Sequence, residues 1–249
     1  MKCLRHNLIC VMLLMPLGCW GGLNISPLRT EISGRPGQTL QGVLSLSHQD
    51  ASVKMYEVTV DGLAQEPSTN VPWLQIQQER IEVGPETAVE VPYVIHIPAA
   101  AKGELLGRIG FADAAPAAQS PVAIRTKISV PIHVLIKGTE ICRAAIKEIR
   151  IASASPLNME VDVENQGNIL LRPEGECRVV ESSTGREVAV IPVNQVHTPL
   201  YTGVTRTFSM PSGVVLPPGN YEALVQVRMP PNPLMLEQKK TIQVPEIRN

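Results

Sequence analysis

The sequence predicts an all-β chain: two tandem immunoglobulin-like β-sandwiches after a signal peptide. Three observations lead there. Val, Ile and Thr recur in short runs between Pro and Gly, which number 22 and 18 in 249 residues, and β-branched runs between turn formers make strands and tight connections. No segment sustains a 3.6-residue apolar period; the best helical candidate, Cys142 to Ile151, reads equally well as a strand. The third is a single long alternation. Val122, Ile124, Thr126, Ile128, Val130, Ile132, Val134 and Ile136 fall on one face, with Arg125, Lys127, Ser129 and His133 among the residues between them. Strands usually run about 5–6 residues, so this one outruns the core of one domain. It can line a sheet edge or offer apolar side chains to another chain. Ending at Lys137-Gly138, it closes the first of two domains, 23–137, and the second is 138–249.

In the first domain, Leu23 to Ile32 reads as a strand broken by Pro27, which implies an edge or a switch between sheets. Gly34 to Gln38 turns. Thr39 to Ser47 and Val53 to Val60 follow as strands, with Tyr56, Val58 and Val60 marking an inward face. Trp73 to Ile76 is a short strand after a Pro-flanked loop, and Trp73 reads as a core or loop anchor. Ile81 to Val83 and Ala88 to Ile97 flank a turn at Gly84 to Thr87. Leu105 to Phe111 carries Gly107 and Gly110, placed for close backbone approach. Ala112 to Pro121 is a loop rich in Ala and Pro before the long strand. Seven strands punctuated every 8–12 residues are the pattern of such a sandwich. In the second domain, Asn158 to Glu164, Glu176 to Glu181, Glu187 to Ile191, Val204 to Met210, Tyr221 to Val227 and Thr241 to Val244 alternate in the same way, around turns at Asn165 to Asn168, Ser182 to Gly185 and Pro217 to Asn220.

Residues 1–22 read as the signal peptide. Met1 to His6 is basic, and Leu8 to Leu17 is apolar but too short to span a bilayer. Gly18 to Gly22 supplies small residues for cleavage, placed after Gly21. Leu17-Gly18-Cys19 matches part of a lipobox, with Pro16 against it. Membrane attachment would come only through lipidation at Cys19. After removal of the signal, Cys142 and Cys177 remain. Export invites a disulfide between them, and two buried free thiols are the alternative.

A net charge of −1 gives no field directed at nucleic acid or an anionic membrane. His48, His96, His133 and His197 are scattered and read as surface or half-buried side chains. The acids alternate with apolar residues on strands, as solvated faces do. No nucleophile elbow, metal-binding or phosphate-cradling pattern occurs. The expectation is therefore a non-enzyme with no cofactor, no metal and no small-molecule substrate.

Two sandwiches behind a signal peptide, the first closed by a long strand, resemble the periplasmic pilus-assembly chaperones of the PapD type, in a divergent, archaic or alternative form. Ile25 to Gly34 carries Arg29 five residues before a turn glycine, as in the family's first strand. Ile124 to Val134 is similar to its last first-domain strand, and Val163 to Asn168 to its Asn-rich turn. The resemblance implies a chaperone that donates alternating apolar residues to an incomplete pilin or fimbrial subunit. It implies Val122, Ile124, Thr126 and Ile128 as the donated residues. It also implies Arg29 and a lysine holding the subunit's terminal carboxylate, and an outer-membrane usher as the further partner. Alignment puts Ser129 at the lysine position; Lys127 takes it only with a slip of two. The family's Phe-Tyr-Arg-Pro ending is absent. The alternative reading is an Ig-like, adhesion-associated surface protein that binds another surface protein. A carbohydrate-binding module stands behind it because aromatics are only 3%.

Overall fold

The structure, a computed structural model, describes residues 22–63, 71–114 and 126–245. The signal segment through residue 21 and the donor positions Val122 and Ile124 lie outside these. Among the described residues the strands are β1 (Asn24–Ser26), β2 (Thr30–Gly34), β3 (Thr39–Ser47), β4 (Lys54–Gly62), β5 (Leu74–Ile76), β6 (Arg80–Val83), β7 (Ala88–His96), β8 (Glu104–Asp113) and β9 (Lys127–Ile136). They continue as β10 (Ala144–Ala154), β11 (Leu157–Asn165), β12 (Glu174–Glu181), β13 (Glu187–Val193), β14 (Thr205–Pro211), β15 (Gly219–Arg228) and β16 (Met235–Val244).

The first nine strands form two sheets, ordered β1-β3-β7-β5 and β2-β9-β8-β4-β6. Their inward residues make one buried cluster, including Leu44, Leu46, Ile95, Phe111 and the β9 row Val130, Ile132, Val134, Ile136. Pro27 does what a strand proline implies. The chain leaves one sheet at Ser26 and enters the facing sheet at Thr30, crossing through Pro27, Leu28 and Arg29. Gly107 lies beneath the Trp73 ring, and a side chain at Gly110 would collide with Lys127. Trp73 packs against the core as an anchor.

The last seven strands form sheets β10-β11-β14 and β13-β12-β15-β16 around a second cluster. The segment that read as helix or strand is β10; its ladder with β11 decides for strand. At the start of β15, Tyr221 is buried and its hydroxyl donates to the Pro217 carbonyl at 2.8 Å. That ties the turn to the strand like the tyrosine corner of related sandwiches. Asn165 is fully buried and fully used. Its Nδ2 donates to the Ile169 and Leu200 carbonyls at 2.8 and 3.0 Å, and its Oδ1 accepts from Gly167 N at 2.9 Å.

Two expectations are corrected. Cys142 and Cys177 are free thiols. Cys177 faces the core from β12, 3.8 Å from Met159 Sδ on β11. Cys142 leads into β10 in the facing layer. Cys177 Sγ therefore meets a methionine across the core, whereas Cys142 lies in the irregular segment ahead of β10 and is only half-buried. His48 and His133 are fully buried rather than surface or half-buried side chains. The His48 ring spans Val83 O at 2.9 Å and Asp50 N at 3.2 Å, so backbone partners satisfy it.

Asn165→Ala would leave Gly167 N and the Ile169 carbonyl without their side-chain partner. We expect a loss of about 3 kcal/mol, read as a lower urea midpoint at unchanged m-value. Burial pushes the Cys177 thiol up to about 12, so at pH 8 only about one part in ten thousand is thiolate. Native alkylation should spare Cys177, urea should expose it, and mass spectrometry should find no bridged species.

Candidate functional site

The site begins with an incomplete ladder. β8 pairs with β9 along nearly its whole length, from Glu104↔Leu135 to Ala112↔Lys127. On the other side, β2 pairs with β9 in parallel only from Thr30↔Ile132 to Gly34↔Ile136. Before Thr30 the chain is crossing from the other sheet. Among the described residues, Lys127 to Pro131 therefore have a ladder partner on the β8 side alone. This open stretch is about 16 Å long at 3.3 Å per residue. Thr126 is exposed at its start, and Ile128 is half-buried at the margin of the first core.

Arg29 stands where the open stretch ends, one residue before β2. Its Nε lies 3.2 Å from Glu31 Oε1. The same oxygen accepts from Arg172 Nη2, in the second sandwich, at 2.6 Å. The three side chains remain 54%, 46% and 34% exposed for Arg29, Glu31 and Arg172. Sequence reading found Arg29 but missed Arg172. It is an isolated arginine in Leu170 to Glu176, 141 positions from Glu31, and only the fold brings the two together.

Lys127 points elsewhere. Its Nζ crosses Gly110 to donate to Asp61 Oδ2 on β4 at 3.0 Å, and Arg108 Nε lies 3.6 Å from the same oxygen. Lys127 is five positions before Ile132, so it stands about 16 Å upstream of the start of β2. Arg29 and Lys127 thus each have their own internal carboxylate, and no ion pair or hydrogen bond joins them. Ser129 is nearer to Arg29 along β9 and half-buried.

A cleft of about 550 Å³ opens beside Glu31 and Arg172, lined also by Glu104, His133, Pro230 and Pro231. Glu104 fixes its floor. Its Oε1 lies 3.1 Å from His133 Nδ1, and its Oε2 accepts from Leu170 N in the second sandwich at 2.7 Å. An ionised carboxylate only accepts, so Nδ1 carries the proton. Asn168 extends the junction: its Oδ1 accepts from Ile141 N at 2.7 Å, its Nδ2 donates to Thr139 O at 2.9 Å, and its carbonyl accepts from Glu104 N at 3.0 Å. The Asn-rich turn therefore sets how the two sandwiches meet. Leu135, on the face of β9 opposite Ile136, packs against the second core.

Among the described residues, no group of His, Cys, Asp and Glu is arranged to hold a metal ion, and no helix is long and apolar enough to cross a membrane.

No model of a known protein family matches this sequence, and no curated protein matches it. Its architecture does match solved structures. One belongs to a chaperone–tip adhesin complex of CFA/I fimbriae biogenesis: 10% identity, TM-score 0.50, 90% of this chain and 100% of that chain. Another is the class 5 fimbriae chaperone CfaA: 11% identity, TM-score 0.50, 90% of this chain and 100% of that chain. At these identities the likeness is one of fold, and this chain shares the all-β, two-sandwich fold of those structures.

Proposed function

We propose that this chain is an exported bacterial chaperone that binds fimbrial or pilus subunits in the periplasm and completes their fold by strand addition before assembly. The open half of β9, ending at Arg29, carries the reading. An exposed stretch of strand backbone pairs with an incoming strand, and alternate pockets set its register. Thr126 and Ile128 stand at the start of the open stretch, and Val122 and Ile124 continue the alternation in the sequence.

The register also favours one orientation. A strand lying in line with β2 and parallel to β9 must stop where β2 begins. Its C-terminal carboxylate then meets Arg29, whose planar fork suits a carboxylate. An antiparallel strand would bring an ammonium group to the same guanidinium. A subunit bound through its C-terminal strand satisfies the favourable case. Leu28, 70% exposed at the crossing, adds apolar surface beside that end. The fold shared with a chaperone solved in complex with a tip adhesin supports a subunit as partner, and an outer-membrane usher would receive it.

Capture of subunits by the tagged chain in the periplasm tests this. We expect a small secreted β-rich protein at near-equal stoichiometry, identified by mass spectrometry. Arg29→Ala should reduce capture about tenfold, the size of one charge-assisted hydrogen bond, and Ile128→Asp should also weaken it. Capture of no subunit, or capture indifferent to Arg29, would overturn the proposal in favour of an Ig-like surface protein.

A further inference from the structure

We propose that Arg172, from the second sandwich, is the second cation of the terminal-carboxylate site, so that both sandwiches hold the end of the bound strand. This assignment rests on the strand-addition reading. It gives Arg172 the part that resemblance assigns to a lysine on β9.

The chemistry of the site is visible in its present occupant. A carboxylate, Glu31, lies between Arg29 Nε and Arg172 Nη2 at 3.2 and 2.6 Å. Two guanidinium charges face one carboxylate charge, leaving an excess of +1 for an anionic chain end. Each guanidinium has five N–H donors, and among the described residues neither arginine has a partner other than Glu31. Both remain accessible. Arg172 also borders the 550 Å³ cleft, whose β9 residues, His133 and Leu135, follow just after the open stretch.

Lys127 fails the same geometric requirement. It lies about 16 Å upstream of that point, and its ammonium is held across Gly110 by Asp61. There it would flank the middle of an added strand and contribute to binding regardless of how that strand ends. Arg172 would contribute only when the strand ends in a free carboxylate.

A merely structural role for Arg172, bridging the sandwiches through Glu31, makes a different prediction. Glu31→Gln breaks that bridge while leaving both arginines in place. If Arg172 serves only as a bridge, Glu31→Gln and Arg172→Ala are equivalent. If it holds the ligand, Glu31→Gln removes a competing carboxylate.

The probes are two fluorescein-labelled twelve-residue peptides of alternating Val and Thr, one ending in a free acid and one in an amide, titrated by anisotropy against the exported chain. We expect wild type to prefer the acid by about tenfold, one charge-assisted hydrogen bond's worth. Arg172→Ala should bring the ratio close to one, and Arg172→Lys should keep an intermediate ratio. Lys127→Ala should weaken both peptides alike and keep the ratio. Glu31→Gln should keep or raise it. A ratio that survives Arg172→Ala, or that Glu31→Gln abolishes as fully as Arg172→Ala does, would overturn the role of Arg172 and leave strand addition standing. Binding of neither peptide, or of both equally by wild type, would overturn the carboxylate-ended strand itself and Arg172 with it.

Discussion

The register at which β2 meets β9 decides which part of β9 keeps a free edge in the first sandwich. A strand can cover its neighbour's edge only over the residues it spends in that sheet. The N-terminal segment gives Asn24–Ser26 to one sheet and Thr30–Gly34 to the other, so β9 is covered only from Ile132 onward. Proline at the crossing suits this division because it contributes no ladder donor. The same register places Arg29 where the open stretch ends. Glu31 pairs with His133 in the ladder and reaches Arg172, so a short parallel ladder also brings the edge to the cleft between the sandwiches.

An open edge invites pairing with the wrong chain, and edges are commonly protected by charge and by brevity. Both are present. Among the described residues the open portion is Lys127 to Pro131, with Arg29 at one end and Lys127 at the other. Asp61 and Glu31 hold these cations in defined places without burying them. Pro131 supplies no donor of its own. On the strand-addition reading, an edge guarded in this way favours a chain that brings compensating charge at its C-terminal end.

Much of the fold was legible in local pattern. Period-two alternation located β9 and β11, Pro27 announced an edge or a change of sheet, of which the fold shows the second, and Gly107 and Gly110 announced close approach by neighbours. Pairings remote in sequence were not legible. His133 looked like one more residue of the polar face of β9. It is buried because Glu104 and the second sandwich close over it, and nothing in its own segment records that contact. Arg172 and Asp61 escaped for the same reason: a charge on an alternating or irregular segment reads as solvated until the fold supplies its partner. The cysteines misled differently. An oxidising compartment makes a bridge chemically permissible, but only the fold, which sets Cys177 against Met159 and leaves Cys142 ahead of β10, shows both thiols free.

The junction between the sandwiches explains how one strand can serve both. The outward residues of β9 change character along its length. Lys127 is exposed, Ser129 and Pro131 are half-buried, His133 is buried beside Glu104, and Leu135 packs on the second core. The inward residues remain in the first core throughout. Near Ile136 the strand is therefore held on both faces and both edges. At Lys127 it is held by one face, one ladder and the tether to Asp61. Rigid support at the C-terminal end keeps Arg29 and the cleft in place, while the N-terminal end leaves backbone for another strand. Over the five described residues of the open stretch, Lys127 to Pro131, backbone hydrogen bonds each worth about 1 kcal/mol would be few, so on the strand-addition reading the selectivity falls to the charged end.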